Sequence, residues 1–476
     1  MKPESSNAPP DPNVVRKLMW FFLLVYIAEG MGQVGGLISQ PLTYFLKTFL
    51  QWNPAQVTEC LAYLTLPWVV KPVYGLLSDF FPLLGYRRKS YLFLANLLAV
   101  GSFLFLFRVT SSSQIVVALF LTAIGMAASS TICGAVMVEN GKQTGLTGKF
   151  VSQQWIWFSI AGIATSLGGG WLCQHLSPTS AFHTAAAITA FAPVGVMAGA
   201  WFLIAEKKSQ INVEQFKLSL KGLVSALKSR TLWIVAALLA LWNFSPGFGT
   251  PMYYHMTDQL GFSQEFIGVL GAIGSVGAVI GSLVYMKWFD KRFTLRQLLY
   301  VSIVLGTISQ GAYVLLHTER SGLVLSLMTS AATQVALLTM LTMAANSCPD
   351  KSEGFSYAAL MSIFNLASQA SAVFGAKLFT GEGITVLHYW TIQQPDFVRH
   401  IFQNHLTPLI WLSAVITATG FFFVPFLPKG LDHKDLAAKA AAAKLVEEAQ
   451  LAQEAKSAQK ASAALPESAK AAEEAK

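Results

Sequence analysis

Residues 66–89 read Leu66-Pro67-Trp68-Val69-Val70-Lys71-Pro72-Val73-Tyr74-Gly75-Leu76-Leu77-Ser78-Asp79-Phe80-Phe81-Pro82-Leu83-Leu84-Gly85-Tyr86-Arg87-Arg88-Lys89. Up to Leu77 the run is apolar apart from Lys71. It then closes on Gly75-x-x-x-Asp79, and three basic residues follow at positions 87–89. An apolar helix that runs into a basic loop is the pattern of a membrane span ending at the cytoplasmic face.

The rest of the chain agrees. Of 476 residues, 54% are hydrophobic and 12% are charged, about half the charge of an ordinary soluble domain. Residues 429–476 hold eight Lys and eight acids, and the first 17 hold five charged residues, which leaves 36 for positions 18–428. So few charges cannot solvate a surface of that size, and lipid is the expected solvent. The spacing predicts an all-α membrane protein of twelve spans, at 18–39, 57–79, 90–109, 114–138, 150–172, 182–204, 231–255, 264–287, 296–317, 321–345, 354–379 and 405–427. Each is long enough for about 30 Å of hydrocarbon at 1.5 Å per residue. Asn243, Pro246, Gly247 and Gly249 interrupt the seventh, as happens where a helix lines a cavity.

Basic residues set the orientation. With the N-terminus inside, the five inner loops carry sixteen Lys and Arg, while the outer loops carry only Lys47, Arg108, Arg320 and Arg399. That asymmetry puts both termini in the cytoplasm, and the expected location is the cell (inner) membrane. The net charge of +9 therefore reads as topology and not as nucleic-acid binding. The expected organisation is a cytoplasmic leader (1–17), a six-helix bundle (18–204), a cytoplasmic linker (205–230), a second six-helix bundle (231–427) and a low-complexity Ala/Lys/Glu tail (428–476). Two halves joined by one long inner loop are the form of parallel transporter repeats. Cys60, Cys133, Cys173 and Cys348 stand singly in or beside apolar runs, without metal-ligand or disulfide spacing.

The run at 66–89 resembles the loop motif of the major facilitator superfamily, and its Pro-Trp…Lys-Pro lead-in and Gly85-Tyr86-Arg87-Arg88 extension resemble the folate-biopterin transporter family within it. Three further stretches are similar to that family: Pro41-Leu42-Thr43-Tyr44-Phe45-Leu46-Lys47 as a first outer loop, Leu260 to Gly268 as the entry to span 8, and Glu353-Gly354 through Asn365 as the start of span 11. The resemblance implies a twelve-helix carrier that takes up folate or a pterin with protons by alternating access.

Such a substrate has a flat ring with adjacent N–H donors and, in folate, a dianionic glutamyl end. Glu29 is the leading candidate: an acid about 18 Å into span 1, near the midplane, is a functional hypothesis by default, for pterin recognition or for carrying the proton. Gln33 follows on the same helix face. Lys71 meets a substrate carboxylate or snorkels to the interface, and Lys377 has the same two readings, with snorkelling favoured. Trp68, Trp155 and Trp242 are stacking candidates, and Gln154, Asn243, Tyr253, Asn365 and Gln369 are polar residues at membrane depth that contact ligand or glue helices. The resemblance implies that Asp79, Arg87, Arg88 and Glu139 form a gating cluster latching the halves, with Asp79 facing the start of span 11; the competing reading makes Arg87, Arg88 and Lys89 topology determinants only. No enzyme motif, nucleotide loop, cofactor site or metal-ligand cluster is present, so a gradient must supply the energy. The rival readings are a carrier of another amphipathic or anionic small molecule, and a non-transporting scaffold or receptor acting through the charged tail.

Overall fold

The computed structural model describes residues 12–33, 35–108, 111–144, 146–210, 228–289, 292–348, 353–386 and 390–427. The expected tail and most of the leader and linker lie outside the described residues. Before the linker come α1 (Pro12–Gly32), α2 (Ser39–Thr48), α3 (Pro54–Val69), α4 (Lys71–Phe80), α5 (Lys89–Phe105), α6 (Ser112–Thr144), α7 (Thr147–His175) and α8 (Pro178–Phe202). After it come α9 (Arg230–Asn243), α10 (Gly249–Asp258), α11 (Gln264–Val284), α12 (Leu295–Ala312), α13 (Glu319–Asn346), α14 (Glu353–Thr380), α15 (Asp396–Phe402) and α16 (Leu406–Thr419). A two-stranded antiparallel hairpin, β1 (Ile384–Val386) with β2 (Trp390–Ile392), sits between α14 and α15.

Nine stretches among the described residues are long and apolar enough to cross a membrane. One of them, the second expected span, restarts at Val70, and the other three expected spans are too short or too interrupted to qualify. The first is divided into α1 and α2, the third is the 17-residue α5, and the seventh is α9 and α10 separated at Phe244–Phe248. The break in the first has a local cause. Leu37 N–H reaches back to the Met31 carbonyl and Gly36 N–H to that of Gln33, and a Cβ on Gly36 would lie 2.7 Å from the Gly30 carbonyl oxygen. Only glycine permits that turn. The chain re-enters a helix directly after it, so Pro41–Lys47, expected as an outer loop, is helical: Pro41 falls in the first turn of α2, where its missing N–H would have had no partner anyway.

Side chains punctuate the other elements. Asn53 caps α3 in a capping box with Gln56, and Thr294 caps α12 with Gln297 in the same way. Ser177, Ser229, Ser263 and Thr318 cap α8, α9, α11 and α13. The buried residues form separate apolar cores in the helices before and after the linker, such as Phe21, Phe22, Tyr26 and Phe150 in the first set and Leu239, Ile303 and Met340 in the second. Large apolar side chains also point outward: Phe191 is 77% exposed, Phe202 76% and Phe422 74%. Faces of that kind need lipid, not water, around them.

The two sets meet chiefly where α7 crosses α11 and where α3 lies along α14. At the first crossing the backbones touch: a Cβ on Gly170 would sit 2.8 Å from the Cα of Gly268. Small residues that bring helices this close are the usual source of association in lipid, where apolar area gives no driving force. Gly170→Leu therefore forces α7 and α11 apart. We expect it to destabilise the folded protein by about 1–3 kcal/mol, read as a lower thermal unfolding midpoint in detergent; an unchanged midpoint contradicts the crossing.

Candidate functional site

Glu29 lies in the last two turns of α1, just before the break, and is 8% exposed. Gly30 beside it packs on Ala161 of α7, which holds this part of α1 inside the bundle. The Ser130 hydroxyl of α6 donates to Glu29 Oε1 at 2.9 Å. Lys71 begins α4, where Pro72 makes the chain restart its helix, and its Nζ donates to Ser130 Oγ at 3.3 Å. The same ammonium lies 4.4 Å from the centre of the Trp68 ring. Glu29 Oε2 is buried and has no hydrogen-bond partner among the described residues. A carboxyl with one satisfied and one bare oxygen, joined to a cation through a hydroxyl, can take up a proton or a donor at the bare oxygen without dismantling the rest.

Lys71 thus turns inward to Trp68 and Ser130 and does not snorkel. Ser130 was not among the residues singled out from sequence. The signal available was the run Ser129-Ser130-Thr131 inside an otherwise apolar span.

A second polar group sits at the end of the bundle that carries the linker. Arg88 Nη2 bonds Asp79 at 2.5 Å and Glu139 at 2.6 Å, and its Nη1 bonds the Ser78 hydroxyl at 2.5 Å. The backbone of this stretch is held as well. Glu206, at the start of the linker, accepts the N–H groups of Arg87 at 2.7 Å, Arg88 at 3.0 Å and Lys89 at 2.9 Å, an acid on the N-terminus of α5. Asp79, Arg88 and Glu139 come together as expected, but Arg87 joins only through its backbone. All the partners belong to helices before the linker or to the linker's first residues, so the cluster expected to latch the halves closes within one of them. Glu206 escaped notice because an acid at the head of a basic loop reads as a solvated charge.

Contacts between the two helix sets gather at the opposite, far end. Lys47 of α2 pairs with Asp258 and Thr257 at the end of α10, over the rings of Tyr254 and Tyr253. Lys377 of α14, 5% exposed, pairs with Glu59 of α3 at 2.6 Å, which replaces the favoured snorkelling. Asn53 donates to Glu382 at 2.7 Å, Gln40 to the Gln264 carbonyl at 2.7 Å, and Tyr254 to the Trp52 carbonyl. Nearer the linker end, hydrogen bonds between the sets reduce to one among the described residues, from the Ser362 hydroxyl to the Val69 carbonyl at 2.5 Å.

The remaining candidates are dispersed. Gln33 stands at the α1 break, one turn past Glu29. Gln154 is half-buried on α7, and Trp155 is 39% exposed with its ring edge-on to Phe158. Asn243 Nδ2 bonds the Leu239 carbonyl in its own helix. Tyr253 donates to Gln264 at the far end and belongs to that seam. Trp242 packs against Gly306 and Gly420 as a wedge between α12 and α16. Asn365 and Gln369 are half-buried one turn apart on α14. No hydrogen bond joins any of these to Glu29 except the Gln33 backbone N–H, which donates to the Glu29 carbonyl.

Comparison with known proteins gives the family and the fold. A model of the BT1 family matches residues 31–421. The chain is 31% identical over 423 residues to the folate-biopterin transporter of Synechocystis sp., covering 86% of this chain and 81% of that protein. It is 22% identical to folate transporter 1 of Plasmodium falciparum, covering 78% of this chain and 77% of that one. Among solved structures it is similar to the POT family transporter PepTSo (TM-score 0.66, 13% identity, 89% of this chain and 99% of that one) and to the nucleoside transporter NupG (TM-score 0.63, 11% identity, 87% and 98%). Both are transporters of the major facilitator superfamily, and the fold is theirs.

Arg88 is the node of the linker-end cluster, with both its acids about 40% exposed. Each exposed pair is worth little, but without the guanidinium two carboxylates face each other across a buried hydroxyl. Arg88→Gln should lower stability by about 1–2 kcal/mol, and Asp79→Asn added to it should recover part of the loss, both followed by thermal unfolding. Equal midpoints for all three proteins would remove the cluster's structural role.

Proposed function

The chain belongs to the BT1 family, and from that membership we propose that it carries folate or a related pterin inward with protons, by alternating access between two six-helix halves. The names of its relatives support the substrate class. The observation that carries the coupling is the bare Oε2 of Glu29 beside the Ser130–Lys71 relay. With Glu29 ionised, its charge and the Ser130 hydroxyl draw the Lys71 ammonium toward α1. A proton on Oε2 removes that pull, and Lys71 becomes free to take a substrate carboxylate. Proton binding then precedes substrate binding, and release of both on the inner side resets the pair.

The far-end seam supports one state of the cycle. With sixteen of the loop cations at the linker end, that end is the cytoplasmic one, and the chain crosses the cell membrane twelve times. The conformer is therefore closed outward. Asp258 and Glu59, the acids of the two cross-set ion pairs, are 54% and 37% exposed, so solvent screens both pairs from the acid side, and the Lys47–Asp258 pair holds with about 1 kcal/mol or less. Several weak contacts that open together suit a gate that must close and reopen every cycle.

Two measurements test this. Purified protein in proteoliposomes should accumulate radiolabelled folate only with an inward proton gradient, and Glu29→Gln should abolish accumulation while leaving folate counterflow measurable. Proton-driven uptake by that variant at the unmutated rate would end the coupling role, and transport of another solute alone would end the substrate assignment. A disulfide between Lys47→Cys and Asp258→Cys should arrest uptake, and reduction should restore it; full uptake by the oxidised protein would show that the far end does not open.

A further inference from the structure

The first and seventh expected spans hold matching places before and after the linker, and both are interrupted at glycines. Interrupted helices at corresponding positions of two repeats are where transporters hold their ligands. The first interruption adjoins Glu29. The second, Phe244–Phe248, borders a cavity of about 760 Å³ enclosed by α10, α11, α12 and α13.

This break is fixed in place. The Gly247 N–H donates to the Ser371 carbonyl at 3.0 Å, and the Ser371 hydroxyl donates to the Ser245 carbonyl. A Cβ at Gly247 would lie 2.9 Å from the Cα of Ala372, so glycine lets the loop sit directly on α14.

No lining residue of the cavity is charged. Its polar surface comes from the amides of Gln310 and Gln334 and from hydroxyls such as those of Tyr313 and Ser326, set against an apolar wall that includes Met252 and Leu270. Neither glutamine side chain bonds another described residue, so two amides, each able to donate and accept, are free for a ligand. The cavity reaches the surface at Gly271 and Thr333, exposed members of its lining. Its volume lies within the about 300–1,000 Å³ of small-molecule sites.

Its level relative to Glu29 follows from α7. Ala161 meets Gly30, next to Glu29, while Gly162 faces Ser275 of the cavity wall. The carboxyl and the cavity therefore flank one turn of α7.

We propose that this cavity is a binding site for the neutral pterin ring, distinct from the Glu29–Ser130–Lys71 group, which deals with charge. The chemistry fits the division. A pterin ring is flat and uncharged at neutral pH, and carries adjacent donors and acceptors that amides match in pairs. An anionic glutamyl group finds no cation in this cavity. The proposal rests on the pterin reading above.

The test is binding of 6-methylpterin, and separately of p-aminobenzoyl-glutamate, to the purified full chain by calorimetry. Gln310→Leu strips hydrogen bonds from the cavity and Ser326→Phe fills it. Each should weaken 6-methylpterin binding about tenfold or more and leave p-aminobenzoyl-glutamate binding unchanged. Tyr313→Phe, a milder change that removes one hydroxyl, serves if either variant loses its monodisperse elution. Unaltered 6-methylpterin binding in the folded variants overturns the site while proton-driven folate uptake by the parent protein still stands. Absence of both pterin binding and folate uptake in the parent protein overturns the site and the substrate reading together.

Discussion

In hydrocarbon a polar group has only the protein to bond to, and this scarcity organises the molecule. Most hydroxyls in the apolar helices meet the constraint alone, by bonding the carbonyl one turn back: Thr58 to Pro54, Thr122 to Ala118, Thr189 to Ala185 and Thr417 to Ser413. Groups that cannot do so are gathered. The guanidinium of Arg88 collects two acids and a hydroxyl, Lys71 reaches Glu29 through Ser130, and Lys377 finds Glu59 across the boundary between the helix sets. The first two gatherings each tie three helical segments at one point, and the third ties α14 to α3. Between these points helices meet closely through small residues, as Gly170 does with Gly268 and Gly247 with Ala372.

The elements legible in the sequence were those that depend on local pattern. Apolar length gave the long spans, and Asn243 with Gly247 and Gly249 gave the break in the seventh. Glu29 stood out because an acid in an apolar run has no bland neighbour to be confused with. Ser130 did not, since a helical hydroxyl normally satisfies itself. The choice between Arg87 and Arg88 also lay beyond the sequence. It follows from the start of α5 at Lys89, which makes Arg88 its cap and turns that guanidinium toward α4 and α6. Pro41–Lys47, read by resemblance as an outer loop after a span ending at 39, is helical because Gly36 makes a turn after which the helix resumes. The seam of Lys47, Asp258, Glu59 and Glu382 was invisible for a different reason. Its residues lie in separate loops and helix ends, and only tertiary closure makes them partners.

The distribution of these contacts says how the molecule can move. The strongest polar knots, at Arg88 and at Glu206, lie within the first helix set and at the head of the linker, and hold that set as a body. The polar contacts that cross between sets are ion pairs with half-exposed acids and single hydrogen bonds, concentrated at one end, and they add to the close packing of α7 on α11 and of α3 on α14. The two sets are thus joined by the close α7–α11 crossing and the α3–α14 packing, together with a few far-end polar contacts of about 1 kcal/mol each.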